Sequence, residues 1–195
     1  MAPTAGLSLH RAGTGQSIGD GGLIEPVAPS DAWLGEILYL PEPTGQSTMI
    51  ATVWNYWSRL RADRPMPRRA DFDPTEIYSS LPYLSVMQYQ HEPYRVQFRL
   101  VGNEVARLYG RNVHGRFLDE MEWAPQDMSD TAHIYERLYK QATPLFGLSY
   151  TNFQSKADRV FEWAVFPMSE DGERVTHALS IDDYTMVTPR KPRSF

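Results

Sequence analysis

Val101-Gly-Asn103-Glu-Val-Ala-Arg-Leu-Tyr-Gly110-Arg-Asn-Val-His-Gly115-Arg116-Phe-Leu-Asp119-Glu120 is the most informative stretch of this 195-residue chain. Asn103 suits the cap of a short helix carrying Val105, Leu108 and Tyr109, and Gly110 suits its stop. A loop then ends in Gly115-Arg116 before the acidic turn Asp119-Glu120.

Two strands precede it, over 83–90 and 94–101, joined by the turn His91-Glu-Pro93. In the second, Tyr94, Val96, Phe98 and Leu100 alternate with Arg95, Gln97 and Arg99, so one face is apolar. A helix over 126–142 follows, then strands near 145–154, 159–168 and 174–187, with Asp171-Gly172 as the last turn. Five strands with helices inserted after the second read as an α+β fold built on an antiparallel sheet.

Further out, residues 47–61 read as a helix with Met49, Val53, Tyr56 and Leu60 on one stripe, widened by Ile50 and Trp57, and Ser47 as its cap. Asp73-Pro-Thr-Glu76 reads as a helix start in which Asp73 caps and Glu76 reaches back. Residues 30–46 are expected to form a short apolar segment, read as a short helix packing on the body or else as a docking segment for a partner. Trp33, Leu34, Ile37, Leu38 and Leu40 recur there at near-helical spacing, and Pro41 and Pro43 end the run. Residues 1–29, rich in Gly, Ser, Thr and Pro, are expected to form a flexible tail, and 188–195 a second tail.

The 101–120 stretch, together with Tyr56-Trp57-Ser-Arg-Leu60-Arg61, Arg64-Pro-Met-Pro67 and Asp71-Phe-Asp73-Pro74-Thr-Glu76-Ile77, resembles the PAS sensor family. In particular it is similar to a bacterial subfamily of small proteins in which the PAS domain makes up most of the chain. The resemblance covers about 47–187. It implies a five-stranded antiparallel sheet with a cleft beneath the inserted helices, plus an N-terminal helix over 47–61.

PAS relatives hold haem, flavin, small acids or nothing in that cleft. Cysteine-linked flavin photochemistry is excluded, because the chain has no cysteine. Haem would need a histidine projecting inward from the helix before the third strand. His133 lies on that helix but off the stripe of Met128, Ala132, Tyr135, Tyr139 and Ala142, so it should face solvent, and no cofactor is expected. His177 alternates with Val175, Leu179 and Ile181, so it shares a buried face with them. It is either a satisfied core histidine or a polar anchor in the cleft. Phe98, Leu100 and Trp163 are the candidate cleft walls, with simple core as their other reading.

The third and fourth strands are apolar on both faces, as Phe161, Trp163 and Val165 against Val160, Ala164 and Phe166 show. A one-sided antiparallel sheet should not read this way, so either the 30–60 region or another subunit covers the second face. PAS domains commonly pair through an N-terminal helix and the sheet. The expectation is therefore a homodimer with Trp54, Tyr56, Trp57, Phe161 and Phe166 at or near its interface.

Enzymatic patterns fail individually. The spacing of Gly110 and Gly115 matches a phosphate loop, but Arg116 and Phe117 stand where Lys and Ser or Thr are needed. The five histidines make no metal-ligand spacing. Asp182 and Asp183 point to opposite faces of a strand. The net charge is −5; residues 1–46 set Arg11 against five carboxylates, which leaves the remainder at −1. That near-neutral body argues against a nucleic-acid footprint. No run is long and apolar enough to span a membrane, and the start does not read as a secretory signal, so a cytoplasmic location is expected. The resulting reading is a sensory or regulatory protein that binds a small ligand and signals through a partner or through its dimer state. A ligand-free interaction module is the alternative, and a small α+β enzyme a remote one.

Overall fold

The structure, a computed structural model, describes residues 37–121, 125–151 and 159–189. Trp33, Leu34 and both expected tails, apart from Thr188 and Pro189, lie outside them. The strands are β1 (Ile37–Leu40), β2 (Leu84–His91), β3 (Tyr94–Val101), β4 (Leu145–Thr151), β5 (Arg159–Met168) and β6 (His177–Pro189). The helices are α1 (Thr48–Arg61), α2 (Asn103–Leu108) and α3 (Pro125–Gln141), with shorter 3-10 turns between. All strands pair antiparallel, in the order β1-β4-β5-β6-β2-β3.

The sheet has six strands where five were expected. The sixth is Ile37–Leu40, read from sequence as part of a helix. These residues extend the free edge of β4, with Ile37 opposite Ser149 and Leu40 opposite Phe146. Four apolar residues fit period two as well as a helical stripe, and an open strand edge decides between them. β6 also runs two residues past the expected domain end, to Pro189.

Residues paired across antiparallel strands share a face, so the register divides the sheet. One face carries Ala178, Ser180, Asp182 and Tyr184 of β6, Trp163 and Val165 of β5, and Met87 and Phe98 of β2 and β3. The helices α2 and α3 lie on this side: the Tyr89 hydroxyl donates to the Tyr135 carbonyl at 2.9 Å, and Arg137 of α3 stacks over Tyr39 of β1.

The opposite face carries Leu179, Ile181 and Asp183 of β6, with Ala164 and Phe166 of β5. Here α1 packs. Ile50, Val53, Tyr56 and Trp57 are buried, Trp54 packs edge-on to Phe146, and the Trp57 indole N–H donates to the Pro167 carbonyl at 2.8 Å. The doubly apolar strands are thus covered by the chain's own N-terminal region.

Two carboxylates on this face hold the chain leading into α1. Glu162 and Asp183 are direct cross-strand neighbours and both are buried. Glu162 accepts from the Thr44 backbone N–H at 2.8 Å and the Thr44 hydroxyl at 2.6 Å. Asp183 accepts from the Ser47 hydroxyl at 2.6 Å and from Thr185. Ser47 simultaneously caps α1 by accepting from the Ile50 N–H at 3.1 Å. One hydroxyl therefore serves a helix start and a buried charge.

Two caps differ from expectation. Asn103 is the first residue of α2, and Gly102 occupies the cap position. A Cβ at residue 102 would sit 2.3 Å from the carbonyl oxygens of Leu81 and Pro82, so the close approach of the chain demands glycine. Asp73 does cap its turn through the Thr75 N–H, but Glu76 pairs with Arg59 of α1 instead of reaching back.

We expect Ser47→Ala to cost about 1–3 kcal/mol in urea unfolding, because it removes a cap and strips a buried carboxylate of a donor. A loss below roughly 0.5 kcal/mol, the range of an ordinary surface change, would contradict this role.

Candidate ligand cavity

The segment 101–120 shapes the covered face. After α2 the chain returns along the outer edge of β3: the Gly115 N–H donates to the Phe98 carbonyl at 2.8 Å, and the Phe98 N–H to the Arg116 carbonyl at 2.9 Å. The acidic turn is locked by Arg95, whose guanidinium contacts Asp119 and Glu120 and lies 3.6 Å from the centre of the Phe117 ring. These contacts lower both carboxyls and raise the Arg95 pKa. The loop thus closes the free edge of β3 and holds α2 over the sheet.

Under this roof, β6 presents Ser180, Asp182 and Tyr184. Asp182 sits opposite Trp163, and Tyr184 packs 4.7 Å from Phe161. Tyr135 of α3 bonds Ser180, and Tyr109, at the end of α2, packs against Phe98. The Trp163 indole crosses Gly147 and donates to the Ser149 hydroxyl at 2.8 Å. A Cβ at residue 147 would lie 2.3 Å from that ring, so glycine makes room for it.

Asp182, Tyr109 and Tyr184 are deeply enclosed by protein, yet each retains accessible surface. That surface is the candidate wall of a ligand cavity on this side of the sheet. Its character is aromatic, with a few polar groups at one point, which suits a small-molecule site. Tyr184 donates to one Asp182 oxygen, Oδ2, at 3.0 Å. Desolvation pushes the Asp182 carboxyl up to about 6 despite that bond, and pushes the phenols of Tyr109, Tyr135 and Tyr184 up as well.

The four cleft candidates separate. Phe98 and Trp163 lie on the cavity side. Leu100 does not, although it alternates with Phe98 in the sequence. Met87 pairs with Phe98 but Val86 pairs with Leu100, so a β-bulge at Arg99 moves Leu100 to the opposite face. His177 shares a face with Leu179 and Asp183, as expected, but that face is the one α1 covers. It is buried beside the Thr176 hydroxyl, 3.0 Å from Nδ1, and desolvation pulls it down to about 4.

The five interface candidates are similarly divided. Tyr56, Trp57 and Phe166 are buried in the chain's own core, with the Tyr56 hydroxyl bonded to the Asp73 backbone. Their side chains are not available to a second subunit. Trp54 is half-buried on α1, and Phe161 is half-buried on the cavity side.

His133 is exposed, lining a surface pocket of about 310 Å³ with Ile37, Tyr39, Arg137 and Lys140. The buried stripe of α3 is Ile134, Tyr135 and Leu138, one step from the expected one, which leaves Ala132 exposed. Among the described residues no cluster of His, Asp and Glu is arranged to hold a metal, and no helix is long and apolar enough to cross a membrane.

The polar group the sequence reading missed is Asp182 with Tyr109, Tyr135 and Tyr184. Its signal was present. Ala178, Ser180, Asp182 and Tyr184 alternate with the apolar set on a strand that is central to the sheet.

The architecture is an antiparallel sheet with helices crossing one face. A family model described as PAS domain matches residues 46–180, and the chain belongs to that family. No curated protein and no solved structure matches it significantly. Membership supports a sensory or regulatory role in general, and PAS domains are common interaction modules.

The opposed shifts of Asp182 and His177 make a stability prediction. Asp182 binds its proton more tightly folded than unfolded, so its contribution grows as pH falls from about 6 toward 4. His177 binds its proton less tightly when folded, so its contribution is lost over about the same interval. Each is worth roughly 3 kcal/mol. Relative to the parent protein, Asp182→Asn should lose stability on acidification from pH 6.5 to 4, and His177→Gln should gain it. Parallel urea melts across that range test this, and identical pH profiles for all three proteins would refute it.

Proposed function

We propose that this protein is a PAS-type sensor that binds a small organic ligand between the sheet and the α2–α3 layer. Its output passes to a partner protein or to a change in dimer state. The observation that carries this reading is the enclosed yet accessible surface of Asp182, Tyr109 and Tyr184. A core evolved only for packing would seal a carboxylate against donors, as this chain does for Asp183, and would not leave it facing space. The β6 strand supports a route outward. Asp182 faces the cavity, and the next residue, Asp183, grips the cap of α1. We assign no catalysis to the site, no bound cofactor and a cytoplasmic setting, in keeping with the regulatory role of the family.

Native mass spectrometry with an absorption spectrum, followed by amide NMR titration with the neutral probes indole and benzyl alcohol, tests the reading. We expect either a co-purifying mass or probe-induced shifts centred on β5, β6, α2 and α3. A bare protein that responds neither to these probes nor to their charged analogues would overturn it and favour the ligand-free interaction module. Light scattering at micromolar concentration separates the two outputs: a monomer with and without ligand removes dimer state and leaves a partner.

A further inference from the structure

The ligand class follows from what surrounds Asp182, and this step rests on the cavity reading above. A carboxylate offers about four acceptor positions on its two oxygens. Asp182 uses one, for Tyr184. The neighbouring Trp163 N–H is engaged by the Ser149 hydroxyl. Oδ1 has no hydrogen bond among the described residues and is not sealed from a probe. Asp183, one residue away on the other face, receives three donors.

No basic side chain among the described residues pairs with Asp182. The basic side chains described on α3 are engaged elsewhere. Arg137 stacks on Tyr39, and Lys140 pairs with Glu136 at the surface. His177 lies across the sheet. The groups facing the carboxylate are Tyr184 from β6, Trp163 from β5, Tyr109 at the end of α2 and Tyr135 from α3. Among the described residues this is a single negative charge with aromatic neighbours and no positively charged partner.

Each ligand charge meets a different fate there. An anion would add a second uncompensated negative charge in a poorly solvated space. A neutral molecule would fill the volume and leave the carboxylate underbonded. A protonated amine would supply the missing charge, up to three N–H donors for Oδ1, and a cation for the aromatic rings.

We propose that the cavity is a receptor site for a small organic amine, with Asp182 as its anionic anchor and Trp163, Tyr109, Tyr135 and Tyr184 as its aromatic enclosure. The three phenols remain neutral throughout the range in which Asp182 titrates. Amine affinity therefore falls as pH drops through about 6, where Asp182 takes up its proton.

The test is a charge-matched series on the full chain, read by isothermal calorimetry and amide NMR: 2-phenylethylamine, 2-phenylethanol and 3-phenylpropionate, with tetramethylammonium as a smaller cation. We expect at least one of the two cations to bind, 2-phenylethylamine to bind more tightly than the alcohol, and the acid not to bind. Asp182→Asn preserves shape and removes a desolvated charge, so it should fold. It should weaken amine binding about thirtyfold or more while leaving alcohol binding unchanged. Tyr184→Phe, which keeps the charge, should retain the amine preference. If the alcohol or the acid binds as tightly as the amine, or if Asp182→Asn keeps the preference, the amine assignment fails and the cavity stands. If no member of the series binds, the cavity reading fails and takes the amine assignment with it.

Discussion

A central strand covered on both faces has no wet side on which to place a polar residue, and β6 is that strand here. It lies between β5 and β2, with α1 against one face and the α2–α3 layer against the other. Alternation then sends Asp182 into one layer and Asp183 into the other. Both carboxylates leave water and both must be answered. Asp183 is answered by Ser47 and Thr185, which joins the start of α1 to the sheet. Asp182 has a single phenolic donor and keeps part of its surface accessible. The architecture and the chemistry of the molecule both descend from this pair of adjacent acids.

The rest of the fold makes the double coverage possible. The return of residues 110–117 along β3 occupies one edge of the sheet, and β1 occupies the other by pairing with β4. Trp57 and Tyr56 spend their polar atoms on the Pro167 and Asp73 backbones, so α1 brings large rings into the core without orphaned donors. Among the described buried side-chain atoms only the Ser80 hydroxyl lacks a partner.

Much of this was legible in the sequence because it depends on local rules. The alternation of 94–101, the capped helix at 47–61 and the glycine-punctuated run of 101–120 each announce their element without reference to distant residues. The two-faced hydrophobicity of Phe161–Phe166 announced a second covering layer and named residues 30–60 as one candidate for it. What was hidden depends on register. The bulge at Arg99 that sends Leu100 away from Phe98 is set by pairing with β2, and nothing in the local alternation marks it. Which face of β6 meets α1 is likewise a tertiary fact. It put His177 against the outer layer and left Asp182 in the cavity. Ile37–Leu40 was misread because four residues carry too little periodicity to outweigh the pull of an open strand edge.

The pairing of β1 has a kinetic side. Its partner β4 lies more than a hundred residues downstream, with Ile37 opposite Ser149. A contact of such sequence separation carries a loop-closure cost that slows its formation. The described residues of β1 lie at the rim of the sheet. Because β1 is an edge strand, its departure would bare the edge of β4 while leaving the central strands paired. This rim strand stands immediately before α1, at the point where the chain enters the layer gripped by Asp183.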